Sequence, residues 1–195
     1  CDMAMLILNQ IFHDAWKNVV QEDCPENEFW VEAIREIKDI NPHFIFIAEA
    51  YWGTNQQLIE LGFDYAYDSN LYNALCQDSA EGIRNVLKES FDIQEQSLRY
   101  IENHDEERSL ARLGLDRAKI AAIIIRSLPG ASMIFDGQMK GCQIRTPIQM
   151  KKAIVEHPNY SVEKFYDGIL SATNSIIIDR GEWAELDVSQ FGSAD

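Results

Sequence analysis

Short apolar runs alternate with amphipathic stretches along this chain. Apolar residues that recur with the helical period predict helices over 3–16, 29–39, 55–61, 80–91, 117–128 and 162–173. Runs rich in β-branched and aromatic residues predict strands over 43–48, 63–67, 97–101 and 131–135, and two more over 176–178 and 183–188. Strands that alternate with helices are typical of βαβ units, and so the pattern predicts an α/β protein with a parallel sheet.

The number of strands favours one α/β architecture. Four strands follow Asp2, and the first two residues predict the end of a fifth. A complete (β/α)8 TIM barrel has eight strands and about 250 residues. The chain is therefore predicted to be the second half of such a barrel, from the end of strand 4 to strand 8, over residues 1–174. Residues 175–195 would begin a C-terminal β domain. A doubly wound open sheet is the alternative, but its usual Gly-rich phosphate loop is missing from the sequence.

Composition narrows the partners that the protein could have. Of its 195 residues 46% are hydrophobic, which is enough for a packed core. Its net charge of −15 would repel nucleic acid and anionic membranes, so neither is expected as a partner, whereas a neutral oligosaccharide or polysaccharide is not repelled. The four cysteines lack CxxC spacing, which argues against a zinc site and gives no sign of a disulfide framework. No apolar run reaches the length of a membrane span. A reducing, cytoplasmic location is expected.

Three acidic residues stand where an apolar run ends. Asp2 follows Cys1, Glu49 follows the run 44–48, and Asp105 follows 100–104. In a βα barrel, catalytic groups project from the C-terminal ends of several strands. Retaining hydrolysis of a glycosidic bond needs two carboxyl groups about 5–5.5 Å apart, and neighbouring strands lie about 4.8 Å apart. Asp2 and Glu49 would form such a pair.

The segments around these acids resemble motifs of one enzyme family. Glu-Asn-His-Asp at 102–105 resembles the seventh-strand motif of the α-amylase superfamily, glycoside hydrolase family 13. Ile-Ala-Glu-Ala-Tyr-Trp at 47–52 is similar to the fifth-strand motif, and Cys-Asp-Met-Ala at 1–4 to the fourth-strand motif. The resemblance extends to about residue 145, although Met139 replaces the Glu that many members carry. It implies that Asp2 is the nucleophile, Glu49 the general acid/base and Asp105 the acid that stabilises the transition state.

The resemblance also implies residues that bind the substrate. His104 would hydrogen-bond the sugar at the cleavage subsite together with its neighbour Asn103, and Trp52 could stack on a sugar ring. Asp64 and Asp68 could line the same cleft. Metal binding by Glu102, His104 and Asp105 is an alternative, but consecutive residues on a strand face opposite sides. No cofactor is expected. Calcium is possible in the intact protein, and its ligands would lie largely outside this chain.

The function implied is that of a retaining glycoside hydrolase acting on α-linked glucans or maltooligosaccharides in carbohydrate metabolism. Two alternatives stay open: an α-glucan transglycosylase of the same family, and a catalytically silent glucan-binding protein, which would be expected to lack one of the three acids. Half a barrel leaves two open sheet edges, which invite self-association. The isolated chain, interpreted as the product of a truncated reading frame, is therefore expected to be inactive or poorly folded.

Overall fold

A parallel sheet organises the fold. The computed structural model describes residues 1–19, 23–152, 154–174 and 181–184. Its strands are β1 (Ile47–Ala48), β2 (Tyr65–Tyr67), β3 (Ser97–Arg99) and β4 (Ala131–Ser132). They lie side by side in chain order, and each is parallel to the next. All four strands therefore end at the same edge of the sheet, as they do in a (β/α)8 barrel.

Helices connect the strands. They are α1 (Asn9–Trp16), α2 (Phe29–Ile40), α3 (Asn55–Glu60), α4 (Ser69–Cys76), α5 (Ala80–Leu87), α6 (Phe91–Glu95), α7 (Ser109–Leu113), α8 (Leu115–Ser127) and α9 (Tyr160–Thr173), with 3₁₀ turns at Ala4–Ile7 and Gln138–Lys140. The predicted helices are thus largely present, but α4, α6 and α7 were not predicted. Within the described ranges, no helix is both long and apolar enough to cross a membrane.

The N-terminal residue extends the sheet beyond β1. The Cys1 amino group donates to the Ile47 carbonyl at 2.8 Å, and the Glu49 amide donates to the Cys1 carbonyl at 3.0 Å. Bonds to the residues on either side of Ala48 are the pattern of a parallel pair. Cys1 therefore occupies the position of a strand residue beside β1. This arrangement places Asp2 and Glu49 at the same edge of the sheet.

The first predicted helix is divided in two. Leu8 has extended dihedral angles (φ −60°, ψ 131°), which separate the turn Ala4–Ile7 from α1. Leu6 in the turn and Phe12 in α1 are both 43% exposed. The single helix predicted over 3–16 is wrong in this respect, because the break and the tighter 3₁₀ turn change the phase of the helix.

The buried side chains form two clusters. One packs the N-terminal segment, α2 and α3 around β1 and includes Met5, Leu8 and Phe63. The other fills the space among α4, α5, α8 and α9 and includes Ile101 and Ile125. Two successive packed units are consistent with the βα repeat of a partial barrel. The predicted strands over 176–178 and 183–188, and so the predicted β domain, fall mostly outside the described residues.

Candidate active site

The three acids at the strand ends converge on one histidine. His104 Nε2 lies 3.4 Å from Asp2 Oδ1, 3.4 Å from Asp105 Oδ2 and 3.8 Å from Glu49 Oε1. One oxygen of Asp2, one oxygen of Glu49 and a nitrogen of His104 all lie within 4.8 Å of one another. The parallel sheet thus brings together side chains that the sequence separates widely.

Glu49 is the buried member of this group, with only 3% of its surface exposed. Its Oε2 accepts a hydrogen bond from the Met3 amide at 2.8 Å, and its Oε1 accepts one from the Tyr51 hydroxyl at 3.3 Å. Burial raises the pKa of Glu49 above its ordinary value and the nearby Asp2 carboxyl adds to this, while the Met3 amide and His104 oppose it. A carboxyl group biased towards its neutral form is suited to donate a proton.

Asp2 and Asp105 are open to solvent. Their side chains are 81% and 47% exposed, respectively. Asp2 is held by the pairing of Cys1 with β1 and by Met3, whose left-handed conformation (φ 44°) turns the chain immediately after it. The two acids of the pair therefore differ in environment. Glu49 is enclosed, and the Asp2 carboxylate can reach a ligand in the cleft.

Asn103 is buried immediately before His104. It is 1% exposed, and its Oδ1 accepts hydrogen bonds from the amides of Asp105 at 2.9 Å and Glu106 at 2.8 Å. Such an Asx turn fixes the backbone that carries the next two residues. Its participation in substrate binding stays a prediction, and the geometry favours an indirect part in which Asn103 orients His104 and Asp105.

Trp52 is an exposed aromatic residue in the loop after β1. Its side chain is 68% exposed, and its backbone is in the left-handed region (φ 58°), which is uncommon for a residue other than glycine. Gly53 follows with φ 75° and continues the turn. The indole ring is thus exposed to solvent three residues after Glu49, and its stacking on a sugar ring stays a prediction.

Asp64 and Asp68 do not join the acids around His104, so the possibility that they line the same cleft is not realised. Asp64 precedes β2 at the opposite edge of the sheet, where its carboxylate lies 2.7 Å from Lys38 Nζ and accepts a hydrogen bond from the Phe46 amide. Asp68 is buried, caps α4 through the Leu71 amide and lies 3.4 Å from Arg99 Nε. Both carboxylates stabilise the scaffold.

Glu102 turns away from His104. Its carboxylate binds Arg108 Nη1 at 2.7 Å, the Ser109 amide at 2.6 Å and the Ser109 hydroxyl at 2.7 Å. The alternative metal set of Glu102, His104 and Asp105 is therefore not brought together. Asp2, Glu49 and His104 have the spacing that a cation would need, but an imidazole between carboxylates accounts for this cluster without one. We assign no metal.

Two further side chains, Tyr51 and Arg145, contact the acids of the site, and the sequence analysis did not predict these contacts. Tyr51 donates to Glu49, and Arg145 Nη2 lies 3.9 Å from Asp105 Oδ1. A signal for Tyr51 was present, since residues two apart in an extended segment face the same side. Arg145 follows a long loop after β4, and nothing in the sequence links it to Asp105.

Known proteins resemble parts of this chain in sequence and in fold. No family model matches the chain. Alpha-amylase MalA of Haloarcula japonica is 29% identical over 154 residues, which cover 75% of this chain and 22% of that protein. The chain thus spans about a fifth of the length of this curated relative.

Solved structures share the fold. The cyclic α-maltosyl-(1→6)-maltose hydrolase of Arthrobacter globiformis, in complex with cyclic α-maltosyl-(1→6)-maltose, gives a TM-score of 0.65 at 19% identity, over 79% of this chain and 39% of that one. An acarbose-soaked debranching enzyme of Nostoc punctiforme gives a TM-score of 0.60 at 19% identity, over 78% and 38%. The predicted resemblance and the predicted fold class are confirmed. The chain is similar in sequence to part of an alpha-amylase and shares the fold of part of the catalytic (β/α)8 barrel of these enzymes.

Proposed function

We propose that the protein carrying this chain is a retaining glycoside hydrolase that acts on α-linked glucans or maltooligosaccharides. One observation carries the proposal: Asp2 and Glu49 bring carboxylate oxygens within 4.8 Å of one another, and only Glu49 is buried. This short separation favours retention, since inverting enzymes hold their carboxyl groups about 6.5–9.5 Å apart to leave room for a water molecule.

The two environments assign the two roles. Asp2 attacks the anomeric carbon and forms a covalent glycosyl ester, while Glu49 protonates the departing glycosidic oxygen. In the second step Glu49 removes a proton from water, which attacks the ester and releases the sugar with its original anomeric configuration. The raised pKa of Glu49 favours the protonated form that the first step requires.

The surrounding residues support this chemistry. Asp105, whose Oδ2 lies 3.4 Å from His104 Nε2, supplies negative charge to an oxocarbenium-like transition state. His104 donates to a sugar hydroxyl, Asn103 orients the turn that carries both residues, and Trp52 offers its exposed ring for stacking. The side chains supply all the groups used, so no cofactor takes part. Calcium binding by the whole protein stays a prediction.

The names of the similar proteins support the substrate class. They include an alpha-amylase, a debranching enzyme and a hydrolase of a cyclic maltosyl-maltose. The net charge of −15 agrees with a neutral substrate. All three predicted acids are present and converge, which disfavours the silent binding protein. The four cysteine thiols are free, as a reducing cytoplasmic location requires, and we propose that location.

The test is hydrolysis of maltoheptaose by the full-length protein that carries this chain. Proton NMR should show the α-anomer of the product before it mutarotates, and Asp2→Asn should abolish turnover. The control is Glu107→Gln, which removes an exposed carboxylate near the site and should leave turnover unchanged. Release of the β-anomer, or full activity of Asp2→Asn, would overturn the proposal. Formation of oligosaccharides longer than maltoheptaose, in place of shorter products, would indicate an α-glucan transglycosylase.

A further inference from the structure

The Tyr51 hydroxyl is placed to control one oxygen of Glu49. Met3 holds Oε2 through its amide at 2.8 Å, whereas Oε1 lies 3.3 Å from the Tyr51 hydroxyl and 3.8 Å from His104 Nε2. When Glu49 is ionised it can only accept, so the Tyr51 hydroxyl is the donor in that state. Tyr51 is therefore placed to orient Oε1 of Glu49.

Tyr51 is itself held firmly. Its carbonyl accepts hydrogen bonds from the Thr54 hydroxyl at 2.7 Å and the Thr54 amide at 3.2 Å. Trp52 then reverses the chain in a left-handed conformation. The Asn103 and Tyr100 side chains, which follow β3, lie close to the Tyr51 hydroxyl. The hydroxyl thus lies between its own loop and the segment that follows β3.

We propose that Tyr51 is a positioning residue that orients the Glu49 carboxyl group and sets the pH above which the proton donor fails. The proposal rests on the proposed function of Glu49. A hydrogen bond donated to a carboxylate stabilises its charged form. Tyr51 therefore opposes burial and keeps Glu49 able to lose its proton in the first step and regain one in the second.

The hydroxyl stays a donor throughout the working range of pH. Burial raises the pKa of Tyr51 to about 12, and the negative charge of Glu49 adds to that effect. Tyr51 therefore does not titrate together with Glu49. Its removal should change the affinity of Glu49 for a proton without removing a charge from the cleft.

Several other groups act on Glu49 and must be held constant. The charged or titratable side chains that face it are Asp2, His104 and Tyr67, and Asp105 and Glu106 lie farther out. Tyr67 provides a matched control. Its ring lies in the field of the same carboxylates, but its hydroxyl donates to Met133 Sδ at 3.7 Å. Replacing Tyr51 or Tyr67 by phenylalanine leaves every charge in place.

The experiment compares the pH dependence of kcat/KM for the wild type, Tyr51→Phe and Tyr67→Phe in the full-length protein. Activity falls as pH rises through the pKa of the proton donor. Loss of the Tyr51 hydrogen bond raises that pKa, so the alkaline limb should move up by about one pH unit. The alkaline limb of Tyr67→Phe should coincide with that of the wild type. An unchanged alkaline limb in Tyr51→Phe would overturn the proposal, even if KM rises, because Tyr51 would then be a sugar contact or a purely structural residue.

A second measurement separates this inference from the proposed function. In protein labelled with [5-¹³C]glutamate, the Glu49 resonance is assigned by its loss in Glu49→Gln, and its titration does not require turnover. The midpoint should lie higher in Tyr51→Phe than in the wild type and should be unchanged in Tyr67→Phe. If the wild type does not act on maltooligosaccharides but this shift appears, the hydrolase proposal fails and the Tyr51–Glu49 coupling stands. If the wild type is active and the Glu49 midpoint is the same in Tyr51→Phe, the Tyr51–Glu49 coupling fails and the hydrolase proposal stands.

Discussion

Glu49 and Glu102 are two buried glutamates near the same edge of the sheet, and their surroundings are opposite. They are 3% and 1% exposed. Glu102 binds the Arg108 guanidinium and two donors of Ser109. Glu49 has one amide and one hydroxyl donor, and it faces the Asp2 carboxylate across a shared histidine. Burial alone does not mark a catalytic carboxylate. A cationic partner keeps a buried acid charged, while burial beside another acid favours its neutral form.

The partners of Glu102 also join three parts of the scaffold. Arg108 donates to the Asp136 carbonyl at 2.8 Å and lies over the Phe135 ring at 4.8 Å. Gly137 follows with φ 87°, and a Cβ there would lie 3.0 Å from Arg108 Nη2. The ion pair therefore connects the end of β3, the start of α7 and the loop after β4. Glu102 supports the turn that carries His104, whereas Glu49 is proposed to act on the substrate.

The largest expected difference is in turnover. Glu49→Gln in the full-length protein should lower kcat by about 10²- to 10⁴-fold, because the amide cannot donate the proton that the leaving oxygen needs. Hydrolysis of maltoheptaose measures it. Circular dichroism should show the same fold in both proteins. If the variant keeps the wild-type kcat, Glu49 is not the proton donor. The proposed difference in role between Glu49 and Glu102 would then be wrong.

The next effect is on stability. Glu102→Gln leaves the Arg108 guanidinium buried without its counter-ion, which should lower the free energy of unfolding by about 3–5 kcal/mol. Urea denaturation measures this loss. The exposed Glu107→Gln serves as the matched control and should change stability by less than about 1 kcal/mol. A Glu102→Gln protein as stable as the wild type would show that the ion pair is not required by the scaffold.

A smaller effect concerns pH. The pKa of Glu49 is raised in the folded protein above 4.5, its ordinary value. Its contribution to stability is therefore complete below about pH 4.5 and is lost as the pH rises through the folded value. Relative to Glu49→Gln, the wild type should lose about 1.4 kcal/mol for each unit by which the pKa is raised. Urea denaturation of both proteins between pH 4 and 8 measures the difference. A difference that stays constant with pH would contradict the raised pKa.

The smallest effect is expected at Arg145. Its guanidinium lies 3.9 Å from Asp105 Oδ1, and both side chains are about half exposed. Solvent screens such a pair, so Arg145→Gln should change stability by less than about 1 kcal/mol. Denaturation and kcat/KM measured together check this. A loss of kcat/KM greater than tenfold at unchanged stability would instead identify Arg145 as a contact to the substrate.

The sequence predicted the repeating βα units but not every element. Helices α2 and α8 were predicted because each has at least three turns of periodic apolar residues. Helix α7 is only five residues long, too short to show a period, and α4 begins with Ser-Asn after a capping Asp68. The predicted strand over 43–48 is reduced to Ile47–Ala48, and Phe44 and Ile45 are exposed. The apolar runs therefore predicted where the strands lie along the chain but not the residues at which they begin and end.

The sequence by itself determined which residues could carry the chemistry and where along each unit they stand. Asp2, Glu49 and Asp105 each follow an apolar run, and strand ends that meet at one edge of a parallel sheet make such residues neighbours. Only the tertiary structure decided how each acid behaves. The burial of Glu49, its hydrogen bond from Tyr51 and the pairing of Glu102 with Arg108 depend on contacts between separate segments. A carboxyl pKa responds to charges and dipoles a few ångströms away, and a linear pattern does not specify those distances.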